Sequence, residues 1–344
     1  MPPTPPNVDL YTRNGFVGPG ASLVRSQYAP SFTRVVGSYT PQRFSVLDVP
    51  DAAFADERGV PVPLITGEGI SIETSRRRRD MPFAVRNVLA DELHFVYSGV
   101  ARLETDFGAL DVVAGDFVLI PRAVTYRFRD VAEELVESIL VTPSQLAVDP
   151  ENAPGVLNVE LHVDIPDPAG VRPVEIDGEY EVVLRHGIDS TSYYFDYDPL
   201  PTLHVGGAPI VRRFNIANVH GISVESGNLK PPKIIDDSSG RTMVYYVGSR
   251  RVDQPPIHHN ADYDEIAFYV SGPGHWGAMS EPGTAVWVPK GVIHQGPAED
   301  VAEGFRAFLI EVRAPLAFTP VGREIGDLTE TNQFDLHDTV KAHA

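Results

Sequence analysis

The chain repeats itself, and the repeat narrows its folding options more than any other feature. Residues 75–99 (SRRRRDMPFAVRNVLADELHFVYSG) align with 248–272 (GSRRVDQPPIHHNADYDEIAFYVSG) at an offset of 173, without a gap. Ten of these 25 positions are identical: Arg77/Arg250, Arg78/Arg251, Asp80/Asp253, Pro82/Pro255, Asn87/Asn260, Asp91/Asp264, Glu92/Glu265, Phe95/Phe268, Ser98/Ser271 and Gly99/Gly272. The match resumes after a shortened loop, with Gly115-Asp-Phe-Val-Leu-Ile-Pro121 against Gly283-Thr-Ala-Val-Trp-Val-Pro289. A match of this length identifies a duplicated supersecondary unit and predicts two tandem copies of one domain.

The unit is built of strands. Leu93–Tyr97, Ala101–Thr105, Phe117–Ile120, Ile266–Val270 and Ala285–Val288 are short runs of β-branched and aromatic residues, separated by Gly, Pro and Asp. That spacing predicts an all-β antiparallel sandwich or barrel. The 31 Pro and 29 Gly fit many short elements. Helical pieces are expected only near Pro50–Phe54 and Pro143–Ala147. The linear plan places an extended arm at 1–44, a first β domain at 45–140 and a connection at 141–190. A second β domain follows at 191–318 and a tail at 319–344. The arm shows no convincing helical or strand period.

Charge and cysteine content exclude several functions. With 28 Lys and Arg against 47 Asp and Glu, the net charge is −19. Such a surface repels nucleic-acid backbones and anionic lipid, so neither partner is expected. There is no cysteine, hence no disulfide scaffold, thiolate metal site or cysteine nucleophile. No basic-then-apolar leader and no membrane-length apolar run is present, and a cytoplasmic location is expected.

The chemistry concentrates in the second copy. It holds His258, His259, Asn260 and Glu265 around a hairpin, then His294 after Pro289-Lys-Gly291. Residues two apart in a strand share a face, so His258 and Asn260 point together and His259 points away. Two imidazoles and a carboxylate on one side of a metal leave positions for substrate and oxygen, as in non-haem Fe(II) oxygenases. The first copy is an internal control. There His258 becomes Val85, His259 becomes Arg86 and His294 becomes Tyr126, while Glu92 stays. The fold therefore does not require these histidines.

His258-x-Asn260-x4-Glu265 followed by Gly283-x5-Pro289-x-Gly291-x2-His294 resembles the two cupin motifs, with Asn260 where many cupins have a second histidine. With Gly206-Gly-Ala-Pro-Ile-Val-Arg-Arg-Phe-Asn-Ile216 and Pro255-Pro256, the wider pattern resembles the homogentisate 1,2-dioxygenase-like bicupins. In size the chain is similar to the large subunit of two-component hydroquinone 1,2-dioxygenases. The resemblance covers roughly 190–318 and reaches 45–130 through the repeat. It implies an all-β bicupin of two double-stranded β-helix (jelly-roll) barrels with few short helices, the first metal-free and the second metal-binding. It also implies a ring-cleaving dioxygenase that inserts O2 into a para-dihydroxylated arene, giving a semialdehyde or keto acid.

The metal implied is Fe(II), with Mn(II) the alternative, held by His258, Glu265 and His294. His258 is favoured over His259 by strand alternation and by the His-x-Asn order. Asn260 is either a fourth ligand or a hairpin hydrogen-bonding residue, since Asn87 occupies its place in the other copy. His220, in Asn218-Val-His220-Gly221, is the proton carrier the resemblance implies; a surface histidine is the plain alternative. Hydroquinone is favoured over homogentisate, although Arg212, Arg213, Lys230 and Lys233 are available to a substrate carboxylate. Partners implied are a small aromatic substrate, O2, further copies of the chain and a small subunit. A non-oxygenase cupin (isomerase, decarboxylase or binding protein) and a storage bicupin with vestigial ligands are the rival readings. His275 and Trp276 are read as turn packing, and Arg76–Arg79 as a solvated edge or ion-pair partners.

Overall fold

The computed structural model describes residues 8–15, 18–26, 30–54, 59–148, 156–207, 210–221, 231–248, 256–272, 277, 279–296 and 304–337. These form two β-barrels lying against each other, as the repeat predicts. The described α-helices are short, Val159–His162 and Pro320–Ile325. The expected helical piece at 50–54 is a 3-10 turn, Asp51–Phe54. The piece expected at 143–147 is instead a turn leading into the strand Leu146–Val148. It extends because Leu146 N–H donates to Asp91 (2.9 Å) and the strand pairs with 235–237.

Alternation along the repeated strand separates the two environments. In Asp91–Thr105, Leu93 and Phe95 face the partner barrel, while Glu92, His94 and Val96 face the first barrel's interior. In Asp264–Ser271, Ile266, Phe268 and Val270 face the partner, while Glu265, Ala267 and Tyr269 face inward. The repeat-related Phe95 and Phe268 meet around Phe308, with ring centroids 4.8 and 4.9 Å away, and Phe117 stands 5.1 Å from Phe308. Each such aromatic pair contributes roughly 0.5–1.5 kcal/mol beyond its buried area. Each interior therefore combines buried polar groups with an apolar cluster of its own, and the other, apolar face of each sheet makes the joint.

Strand pairing shows the duplication to be longer than the sequence match, because the halves exchange segments. Gln42–Ser45 pairs with Thr284–Trp287 of the second barrel, and Arg212–Asn215 pairs with Asp116–Leu119 of the first. Their matched residues include Arg43/Arg213 and Phe44/Phe214. Likewise Val8–Thr12 runs parallel to His258–Asn260, and the Tyr180–His186 strand runs parallel to Ala84–Asn87. Leu146–Val148 crosses to the second barrel and Ala317–Phe318 to the first. Among the described residues, segment 1–44, which showed no strand period, holds Val8–Thr12, Gly20–Val24 and the start of Gln42–Ser45. The expected linear boundaries run across these pairings; Asp189–Phe195 spans residue 190 and joins the first barrel's sheet.

Candidate metal centre

Local chemistry folds the second-copy motif. Asn260 Oδ1 accepts from the backbone N–H of Asp262 (3.1 Å) and Tyr263 (3.2 Å), turning the chain from His258–Asn260 into Asp264–Ser271. This is the Asx geometry in which a short amide side chain imitates a backbone turn. Fully buried Asp264 then accepts from Trp287 Nε1 (3.0 Å), Lys290 N–H (3.2 Å) and Tyr39 O–H (2.5 Å), pinning the next hairpin. Gly291, at φ +77°, allows the tight Pro289-Lys290-Gly291 turn and donates its N–H to Asn260 O (2.7 Å).

That turn delivers His294 directly opposite His258. Each backbone N–H donates to the other's carbonyl at 2.9 Å, a mutually bonded antiparallel pair. Side chains of such a pair leave the sheet on one face, and the imidazole centroids lie 4.2 Å apart. His258 Nδ1 donates to Pro256 O (2.8 Å) and His294 Nδ1 to Val292 O (3.0 Å). A carbonyl only accepts, so both rings carry the proton on Nδ1 and present the Nε2 lone pair. His294 Nε2 is 3.8 Å from Glu265 Oε2, and one ligand atom from each of His258, Glu265 and His294 lies within 4.8 Å of the others.

Electrostatics suit the trio to a cation. Burial raises Glu265 above the usual carboxylate range, partly offset by His258. Burial and nearby His258 push His294 well below the usual imidazole range, so it stays neutral and ready to donate. Two oriented imidazole lone pairs and a carboxylate oxygen fit a divalent transition ion, with the remaining coordination positions free of these side chains.

The other residues singled out in the sequence fall elsewhere. His259 points away from the trio and donates Nδ1–H to Asp9 (2.8 Å). Of the two roles open to Asn260, the structure shows the hairpin one. Both its oxygen lone pairs are used by the turn, and its Nδ2 donates to Glu311 (2.9 Å). Asn87 makes the same turn with Leu89 and Ala90. His220 is exposed, its backbone bonded to Val156 O (2.8 Å), and its ring makes no hydrogen bond among the described residues. Arg76 and Arg78 pair with Asp51 and Glu134. Lys230, Arg250, Arg251, Asp253, Pro255, His275 and Trp276 lie outside the described residues.

Two features escaped the sequence reading. Glu311, fully buried, lies cross-strand from Glu265; burial, then Glu265, holds it well above the usual carboxylate range. Its signal was a lone carboxylate in the apolar run Phe308-Leu-Ile-Glu-Val312. The first barrel's Glu92, kept there without the histidines, is fully occupied. It accepts from Tyr126 O–H (2.7 Å) and Asn87 Nδ2 (2.9 Å), with Arg185 and His94 each at 3.3 Å. His94 also reaches Glu137 at 3.2 Å, and Arg185 reaches Glu73 at 2.9 Å. Burial would raise Glu92, but His94 and Arg185 outweigh it and bring its pKa to about 2. Where the second barrel offers donors to a cation, the first supplies its own cations.

No family model matches the chain. A protein of Saccharolobus solfataricus named "putative dioxygenase" is 26% identical over 226 residues, 61% of this chain and 57% of that one. The chain thus matches a little over half the length of that curated relative. Among solved structures, a cupin 2 conserved barrel domain protein from Leptotrichia buccalis is 11% identical, covering 80% of this chain and 98% of that one at a TM-score of 0.45. A deletion mutant of Bacillus subtilis oxalate decarboxylase is 12% identical, covering 89% and 88% at a TM-score of 0.43. Neither reaches 0.5. No helix among the described residues is long and apolar enough to cross a membrane. By its strand order and reciprocal pairing, the protein is an all-β pair of barrels with a His/Glu/His cluster in the second.

Proposed function

We propose that the protein is a non-haem Fe(II) dioxygenase that opens the ring of a para-dihydroxylated arene, hydroquinone-type in preference to homogentisate. The observation that carries this reading is the convergence of His258, Glu265 and His294, with the Nδ1–H of both imidazoles bonded to backbone carbonyls. The Saccharolobus relative's name agrees with the reaction class. A divalent iron held there would supply adjacent positions for a phenolic oxygen and for O2.

The chain's own residues do the rest. Burial of His294 and Glu265 keeps water from competing for the donors. Tyr245, Tyr269, Phe305 and Met243 belong to the apolar cluster of the same barrel. Two of the four cations open to a substrate carboxylate are engaged elsewhere. Arg213 pairs with Asp164 (2.6 Å) and Asp116 (3.5 Å), and Lys233 with Asp236 (2.9 Å). This favours a diol without a carboxylate. The phenolic proton acceptor we assign to His220, on the exposed turn before the second barrel.

Anaerobic Fe(II) reconstitution followed by oxygen-electrode assays with hydroquinone, homogentisate, gentisate and catechol tests the reading. Stoichiometric O2 uptake with hydroquinone, lost in His258→Ala and His294→Ala, is expected. Uptake with homogentisate alone would move the substrate class. Bound metal with no uptake on any diol would point to a missing small subunit or to the non-oxygenase cupin.

A further inference from the structure

The strand that carries His258 is only three residues long, His258–Asn260. One edge is held by the His258–His294 pair and by Gly291 N–H to Asn260 O. Along the other edge lies Val8–Thr12 from the opposite end of the chain, in parallel register Leu10↔His258, Tyr11↔His259 and Thr12↔Asn260. Leu10 N–H donates to Ile257 O (2.9 Å) and Ala261 N–H to Thr12 O (3.0 Å). A strand this short has too few bonds of its own to hold a ligand within the tolerance a metal demands.

Side chains lock the pair further. Asp9 is fully buried, with one oxygen 2.8 Å from His259 Nδ1 and the other 3.4 Å from Arg25. A buried carboxylate is costly unless paired, so this contact fixes where the arm can dock. Beyond the strand, Arg13 forks onto Asp262 (2.7 and 3.1 Å), and Asn14 N–H reaches the same carboxylate (2.9 Å). Gly15, at φ +60°, lies so close to Glu311 that a Cβ there would run into both carboxylate oxygens.

The other half of the molecule provides the contrast. There Val183 pairs with Val85 and Leu184 with Arg86, so the place of Asp9 is taken by Val182 and that of His259 by Arg86. The arm-to-strand carboxylate–imidazole lock beside the His/Glu/His cluster thus has no counterpart at Val182 and Arg86. At the place of Thr12 stands Arg185, whose guanidinium enters the first barrel and binds Glu92. One arm delivers a cation; the other delivers none and clamps the ligand strand from behind.

We propose that Asp9, acting through His259, is a positioning residue for the metal centre, and that the N-terminal arm holds the His258 strand in the register metal binding requires. The inference rests on the metal-binding reading of His258, Glu265 and His294. Removing a group that orients a ligand from outside the coordination sphere typically weakens metal affinity about 10- to 100-fold.

Titration of the full chain with Co(II), followed by visible absorption, tests it and reads both affinity and ligand geometry. Wild type is expected to bind one Co(II) in the second barrel. Asp9→Ala is expected to bind at least about tenfold more weakly, with a shifted band and faster hydrogen exchange over 256–263. Asp9→Asn, which keeps an acceptor in place, is expected to restore most of the affinity. His259→Leu, the independent route should Asp9→Ala fail to fold, is expected to match Asp9→Ala. Phe214→Leu in the inter-barrel core is expected to lower Tm without changing Co(II) affinity. Unchanged affinity and spectrum in Asp9→Ala or His259→Leu would overturn the clamp while leaving the metal site intact. So would equal weakening in Phe214→Leu. A wild type that binds no Co(II) would sink the metal reading itself.

Discussion

Replacing Arg185 with Leu removes the cation that the first barrel keeps where the second would hold a metal. The Arg185 side chain is 16% exposed, and its partners Glu73 and Glu92 are 5% and 1% exposed. Removing one member of such a buried pair typically costs about 3–5 kcal/mol, because the other charge stays behind. The pH dependence gives an independent measure. Glu92 has a folded pKa of about 2 against an ordinary 4.5. This depressed pKa contributes stability that is present above about 4.5 and is lost as pH falls toward 2. At about 1.36 kcal/mol per pKa unit, the contribution is about 3 kcal/mol, shared by Arg185 and His94. Urea unfolding of wild type and Arg185→Leu, followed by far-ultraviolet circular dichroism at pH 6 and pH 3.5, checks both claims. At pH 6 the variant should be less stable by about 3–5 kcal/mol. At pH 3.5 the gap should narrow, because the variant's Glu92 can take a proton and shed its unpaired charge. A loss below about 1 kcal/mol at pH 6, within the range of an exposed pair, would refute the burial argument. An equal loss at both pH values would refute the charge argument, leaving only packing.

Three further outcomes are expected. His94 lies between Glu137 and Glu92, and despite the opposing effect of burial those partners raise it to about 9 from 6.5. Its stabilisation is full below about 6.5 and is lost as pH rises through 9. An alkaline fall in Tm should therefore be present in wild type and absent in His94→Gln. Asn260→Ala should cost about 1–3 kcal/mol in urea unfolding, from turn donors left unpaired. It should keep one metal per chain by elemental analysis; loss of metal in a variant that folds would restore Asn260 as a ligand. His220→Ala should keep full metal content and lower kcat about 100-fold or more if its ring takes the substrate proton. An unchanged kcat in the oxygen-electrode assay would make it a surface histidine.

The sequence made the duplicated β domain, its strands and the copy-specific histidines legible, because each leaves a local trace. Strand alternation placed His258 and His259 on opposite faces, and the structure finds them there. The Pro289-Lys-Gly291 turn announced itself through glycine's tolerance of positive φ. Similarity between the copies registers only what both must keep in the same place, such as Asp91/Asp264 and Asn87/Asn260. It is silent where the copies diverged to do different things. Hence Arg185, His94 and Asp9 went unread: Arg185 and Asp9 gain meaning from partners 93 and 250 residues away, and His94 from Glu137, 43 residues away, together with Glu92. Glu311 was visible only as an acidic residue in an apolar run. The crossing of the arms was hidden for a related reason. A strand's sequence records that it has a buried face, but its neighbour is settled by which barrel edge remains open once both barrels have closed. That is decided in three dimensions, and it brings Val8–Thr12 against His258–Asn260, some 250 residues away.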